Sequence, residues 1–176
     1  MVRRTALFIF GVAVICAADS GAGLQWIAPS GWKTEAQRPM RLATYTVPHA
    51  PGDADNGECG VFYFGQGQGG SVDANMDRWI GQFLQADGKP SKSAAKIEKR
   101  TAHGLKLTTV DVSGSYTGMG GPMAQGGAPK PGYRLLGGIV EGPQGSVFFK
   151  FTAPAKTIAQ NQSAFQRMLD SVSGGK

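Results

Sequence analysis

A glycine run between an apolar segment and an amphipathic one is the part of this sequence best suited to chemistry. Gly65-Gln66-Gly67-Gln68-Gly69-Gly70 leads directly into Ser71. Successive backbone N–H groups in such a turn, followed by a helix N-terminus, make a concave set of donors for an anion. Ser71 is a candidate N-cap. Arg78 follows about two turns later, and its guanidinium can hold a carboxylate or a phosphate. Gly67, Gly69, Gly70, Ser71 and Arg78 are therefore the candidate ligand-binding residues. A plainer use of the same residues competes: the glycines relieve the turn and Arg78 pairs with a surface acid, both commonplace arrangements. Asp73 favours the plainer use, because a carboxylate in the first turn already answers the helix dipole. Gly65, Gly67 and Gly70 also satisfy G-x-G-x-x-G. A dinucleotide site would need a parallel strand ending in an acidic residue about 20 residues on, and none follows.

Other reactive residue types lack their partners. Cys59 with His49 or His103 as base would form a nucleophilic pair and imply an extracytoplasmic enzyme. Cys59 opens an apolar run, however, where free cysteine usually serves as a small hydrophobe. Asp53-Ala54-Asp55-Asn56-Gly57-Glu58 has glycine fifth and Phe64 twelfth. A calcium loop needs glycine sixth and glutamate twelfth, so this reads as a polar surface loop. Met119 and Met123 offer two thioethers without a third soft ligand for copper. Zinc-ligand spacings and a G-x-S-x-G elbow are absent, so no cofactor and no metal is expected. Lys89, Lys92, Lys96, Lys99, Arg100 and Lys106 form the densest basic stretch. On one face they would suit a polyanion or a membrane surface. Without interleaved aromatics they do not suit nucleic acid. Lysines guarding an edge strand are the plainer alternative.

The elements that must position these residues can be read from pattern. Arg3 and Arg4 precede the apolar run Ala6–Ala18, and small residues follow. This is the three-part layout of a secretory signal, with cleavage possible after Ala18 or Ala22. The run is too short to cross a bilayer, which takes about 20 residues. Residues 1–22 are thus expected to be a signal peptide and 23–176 one α+β domain, exported to the periplasm or beyond. Removing residues 1–22 takes Cys16 away, so Cys59 has no disulfide partner. It also removes Arg3, Arg4 and Asp19, lowering the net charge of +6 by one.

Strands are expected at Leu42–Val47, Cys59–Phe64, Lys96–Thr101, Leu105–Tyr116, Tyr133–Glu141 and Ser146–Thr152. A parity shift between Leu105/Leu107 and Val110/Val112 predicts a bulge near Thr108. Val72, Met76, Trp79, Ile80, Phe83 and Leu84 recur at helical spacing, which predicts a helix from Ser71 to about Ala86. A second helix is expected after Pro154, reaching about Ser171. Thr117–Gly132 is rich in Gly and Pro and is expected to be a long loop beside the glycine turn. Six strands joined by short connections favour a mostly antiparallel sheet covered by two main helices.

Pro29-Ser30-Gly31-Trp32, Phe62-Tyr63-Phe64-Gly65, Gln68-Gly69-Gly70, Asn75, Arg78-Trp79 and Gln82-Phe83 resemble a bacterial family of exported proteins without known function. So do Pro131-Gly132-Tyr133-Arg134-Leu135-Leu136 and Phe148-Phe149-Lys150. The element order and the early Pro-x-Gly-Trp turn also resemble the α/β/α sandwich shared by PsbP and the Ran-binding protein Mog. That resemblance implies a binding or assembly role rather than catalysis. The expected function is a non-enzymatic envelope protein that binds a partner protein or a small ligand.

Overall fold

Alternating apolar residues with tight turns between them build most of this molecule. The computed structural model describes residues 18–118 and 128–175. In chain order the strands are β1 (Ala18–Gly21), β2 (Leu24–Ile27), β3 (Lys33–Thr34), β4 (Arg41–Val47) and β5 (Gly57–Phe62). Helix α1 (Val72–Ile80) follows, then β6 (Phe83–Leu84), β7 (Lys96–Ala102), β8 (Leu105–Tyr116), β9 (Lys130–Gly142) and β10 (Gly145–Pro154). Helix α2 (Ala155–Asp170) and β11 (Ser173–Gly174) complete the order.

The main sheet runs β3-β4-β5-β10-β9-β8-β6, with β7 beside β8, and every pairing is antiparallel. The six expected strands are β4, β5 and β7 to β10. Two two-residue strands, β3 and β6, raise the count to eight. A second small sheet, β1-β2-β11, was not foreseen, because its strands are too short to show a period. On one face of the main sheet α2 and β2 bury Phe149, Phe151, Val61, Val140 and their neighbours. On the other, α1 buries Val110, Val112, Leu135, Ile139 and Phe148. The architecture is an α+β sandwich with both sheet faces used.

Several details differ from expectation, among them β5, which spans Gly57–Phe62 where Cys59–Phe64 was expected. Helix α1 stops at Gly81, whose N–H bonds the Asp77 carbonyl while the Gln82 N–H takes that of Trp79. Phe83 and Leu84 then pair with Tyr116 and Ser115 as β6 instead of extending the helix. A short apolar run fits either period, and sheet pairing wins here. Thr108 carries no bulge. The β8–β9 register is continuous from Lys106 to Gly114 and shifts only between Gly114 and Tyr116. The parity change has another cause: Leu105 and Leu107 face the α2 core, whereas Val110 and Val112 face the α1 core. The expected loop is shorter at its end, since Lys130 already pairs with Tyr116.

Two adjacent glycines in β9 fix how closely the helices approach. A Cβ on Gly137 would lie 2.5 Å from the Trp79 ring of α1, and one on Gly138 would lie 2.8 Å from Leu169 of α2. Gly137→Ala is expected to lower stability by about 1–3 kcal/mol, the usual scale of overpacking, read from the denaturant midpoint. In a Trp79→Ala background the same change should do much less. Equal losses in the two backgrounds would show that Trp79 is not what the glycine accommodates.

Candidate functional site

Helix α1 has nine residues and is thus about 14 Å long. Trp79 seats it over β9, so it covers only part of its face of the sheet. The part formed by β5 and β10 stays open and is lined by side chains from both. The result is a cavity of about 770 Å³, walled by Met40, Phe62, Phe64, Trp79 and Phe148, with Arg41, Arg78, Gln82 and Lys150 as its polar members. A second cavity of about 700 Å³ shares Arg41, Phe62 and Lys150 and continues to Tyr116, Tyr133, Glu58 and Thr152. Phe148, Lys150 and Thr152 alternate along β10 on this face. The groove therefore follows that strand for about 13 Å, at roughly 3.3 Å per residue.

Lys150 lies where the two cavities meet. Its Nζ donates to Gln82 Oε1 at 2.6 Å and stands 5.6 Å from the centroid of the Tyr116 ring. Burial above all, helped by the nearby guanidiniums of Arg78 and Arg41 and opposed by Glu58, lowers its pKa to about 8. Arg41 is held by Glu58 at 2.7 Å and lies over the Phe62 ring at 4.7 Å. Arg78 has no carboxylate partner among the described residues; it donates to Asn75 Oδ1 instead. Two of the three cations in the groove, Arg78 and Lys150, thus lack an acidic partner among the described residues.

The glycine turn borders this groove. Gly69, Gly70 and Arg78 line a shallow extension together with Met40, Phe64 and Gln68. Gly67 faces open space. Ser71 caps α1 as expected, its hydroxyl accepting from the Ala74 N–H at 3.2 Å. Asn75 ties the turn to the helix by donating to the carbonyls of Gly69 at 2.7 Å and Ser71 at 2.8 Å. Residues 119–127 of the long loop, including Met119 and Met123, lie outside the described residues.

Two alternatives fail on geometry. Cys59 is fully buried in the α2 core, and burial pushes its thiol well above the ordinary range. It is no accessible nucleophile for His49 or His103, whose rings contact the carbonyls of Ala50 and Asp170. The basic stretch is not one face. Lys99 reaches Asp73 on α1, while Arg100 reaches Asp170 on α2 across the sheet. Lys89, Lys92 and Lys96 pair with Asp87, Asp77 and Glu98. The acidic loop is used structurally as well: Asp53 accepts from the Thr157 N–H at 2.8 Å near the start of α2, and Asp55 accepts from Lys130 at 2.8 Å.

Sequence reasoning found Arg78 but missed Lys150, Arg41, Phe62 and Gln82. The signal for Lys150 was available: a lysine between Phe149 and Phe151 in a strand with both neighbours paired. A cation inside such a run has to meet a cavity, a partner or water.

Cys59 is expected to resist thiol reagents in the native protein and to react only on unfolding; rapid native labelling would reopen the nucleophile reading. Lys150 generates a pH signature. Its folded pKa lies below its unfolded value of about 10.4, so the unfolded chain binds more protons between pH 8 and 10.5. Its contribution to stability therefore rises with pH across that window. Denaturation curves of wild type and Lys150→Met should diverge there, wild type gaining relative to the variant. Parallel curves would place the ammonium in water.

No family model matches the chain, and no curated protein does. Among solved structures it is similar to LpqN of Mycobacterium tuberculosis, a protein involved in cell envelope biogenesis. The TM-score is 0.54 at 8% identity, over 85% of this chain and 82% of that one. It is also similar to the cyanobacterial PsbP (CyanoP) of Synechocystis sp. PCC 6803, with a TM-score of 0.51 at 12% identity, over 96% and 99% of the two chains. At such identities the likeness concerns the fold alone: a PsbP-like sandwich of helices on a mostly antiparallel sheet.

Proposed function

We propose that this chain is an exported, non-enzymatic binding module of the bacterial cell envelope, and that the groove along β10 holds its ligand. The observation that carries the reading is the uncovered half of the α1 face. A sheet face normally buries its apolar side. Here an aromatic-walled cavity of about 770 Å³ stays open, with a few convergent polar groups in it. That combination and size are the usual marks of a small-ligand site. Gly69, Gly70 and Arg78 belong to the same surface, so the anion reading of the glycine turn becomes the rim of this groove rather than a separate site. Gly67 and Ser71 would contribute through the shape of the turn alone.

Export rests on Arg3-Arg4, the apolar run behind them and the small residues at its end. The envelope role of LpqN, a protein of similar fold, supports that setting. Cleavage after Ala18 fits better than cleavage after Ala22. It keeps most of β1, which pairs with β2, and it keeps Asp19, whose carboxylate accepts from Tyr45 Oη at 2.5 Å. Cleavage after Ala22 would leave the buried Tyr45 hydroxyl, which already accepts from Trp26 Nε1, without that acceptor.

Cell fractionation of the native host, with N-terminal sequencing, tests the setting. The protein is expected outside the cytoplasm and beginning at Asp19; an intact Met1 would contradict export. Chemical-shift mapping of that protein with a solvent extract of the envelope tests the groove. Shifts are expected at Phe62, Trp79 and Lys150. Shifts confined to Lys89–Lys106 would give the polyanion reading the better claim.

A further inference from the structure

We infer that the occupant of this groove is an amphipathic anion: one acidic head group on a single apolar chain, of the acyl-carboxylate kind. The inference rests on the binding reading above and adds the ligand's chemistry. Charge complementarity selects the head. Arg41, Arg78 and Lys150 line one cavity; Glu58 forms its ion pairs with Arg38 and Arg41, which leaves Arg78 and Lys150 without an ion-pair partner among the described residues. Gln82 occupies one donor of the Lys150 ammonium, leaving the rest for a guest. An ammonium recessed among aromatic rings without a carboxylate is costly unless an anion meets it.

The walls select the chain. Phe64 packs edge-on against Phe148 at 5.4 Å and lies nearly parallel to Phe62 at 6.3 Å, giving a continuous apolar surface beside the cations. Met40 stands at the mouth, two-thirds exposed (67%), on a backbone with φ of +61°. A non-glycine residue held in that left-handed conformation is strained, and such strain persists where the surroundings impose it. Its thioether is the adaptable kind of side chain that lies along a flexible chain. A hydrophilic anion would leave this apolar wall unused, and a neutral lipid would leave two cations unanswered.

Titration calorimetry on the mature protein, with decanoate as probe, tests this. Decanol, decyltrimethylammonium and acetate serve as the neutral, cationic and chainless controls. Decanoate is expected to bind one to one and to outbind all three. Lys150→Met should weaken decanoate about tenfold, the scale of one charge-assisted contact, and leave decanol unchanged. At pH 8.5 binding should take up a proton, seen as a dependence of the heat on buffer ionisation. Lys150→Arg should keep the affinity and lose the proton uptake, which separates a charge role from a packing role. Decanol binding as tightly as decanoate would overturn the anion and leave the groove a ligand site. Acetate binding as tightly as decanoate would overturn the chain. Failure of every probe, together with no shift at Phe62 or Trp79 from envelope extract, would overturn both readings.

Discussion

The close approach of Trp79 to Gly137 determines the shape of everything on that side of the sheet. β9 lies near the middle of the sheet, and its two consecutive glycines face opposite ways. Each leaves a recess one side chain deep, filled by Trp79 on one face and Leu169 on the other. The two layers are thus anchored back to back on a single dipeptide. α2 spans sixteen residues and, with the β1-β2-β11 sheet, covers its face broadly. α1 spans nine and, once Trp79 is seated, reaches Phe148 on β10 but leaves the rest of that strand and most of β5 uncovered. The open groove is therefore a consequence of helix length and of where the recess lies, not of a missing element.

That geometry explains why charge collects where it does. Beyond Phe148, the residues on the α1 face of β4, β5 and β10 have no helix over them, so this is where Arg41, Phe62 and Lys150 line an open groove. Gly60 leaves room for the Phe62 ring, which a Cβ there would meet at 2.7 Å. On the opposite face the same strands supply Tyr45, Cys59, Phe149 and Phe151 to a closed core. One strand thus serves two environments in alternation, and the sequence Phe148-Phe149-Lys150-Phe151 records it. A stability-driven sequence would not leave an ammonium there, since desolvation disfavours its charge. Perturbed groups in clefts are more often kept for binding or chemistry than for folding.

Much of this fold was legible because long strands and amphipathic helices carry strong periods. β8, β9, β10 and α2 were read close to their true bounds. Short elements were not legible: β1, β3, β6 and β11 have two to four residues, less than one reliable period. α1 was overextended because Phe83 and Leu84 fit both a helical face and a strand, and only pairing with β8 decides between them. The apolar parity of β8 is visible in the sequence but suggests a bulge there, since a sequence does not tell which layer covers which end of a strand. The site was half legible. Arg78 and the glycine turn stood out as motifs, but a groove assembled from β4, β5, α1 and β10 brings together residues over a hundred positions apart. Lys150 could have been flagged only by asking why a lysine interrupts a run of phenylalanines.

The groove on the uncovered part of the α1 face is proposed to hold an acidic head against its cations and an apolar chain along its aromatic wall. A crystal structure of the mature protein with a long-chain fatty acid brominated at its far end tests both halves at once, because bromine is located by its anomalous scattering. A bromine peak is expected between Phe62, Phe64, Phe148 and Trp79, with the carboxylate within hydrogen-bond distance of Lys150 Nζ or Arg78. A bromine peak confined to the surface around Lys89–Lys106, or a carboxylate turned to solvent with no contact to Lys150 or Arg78, would contradict it.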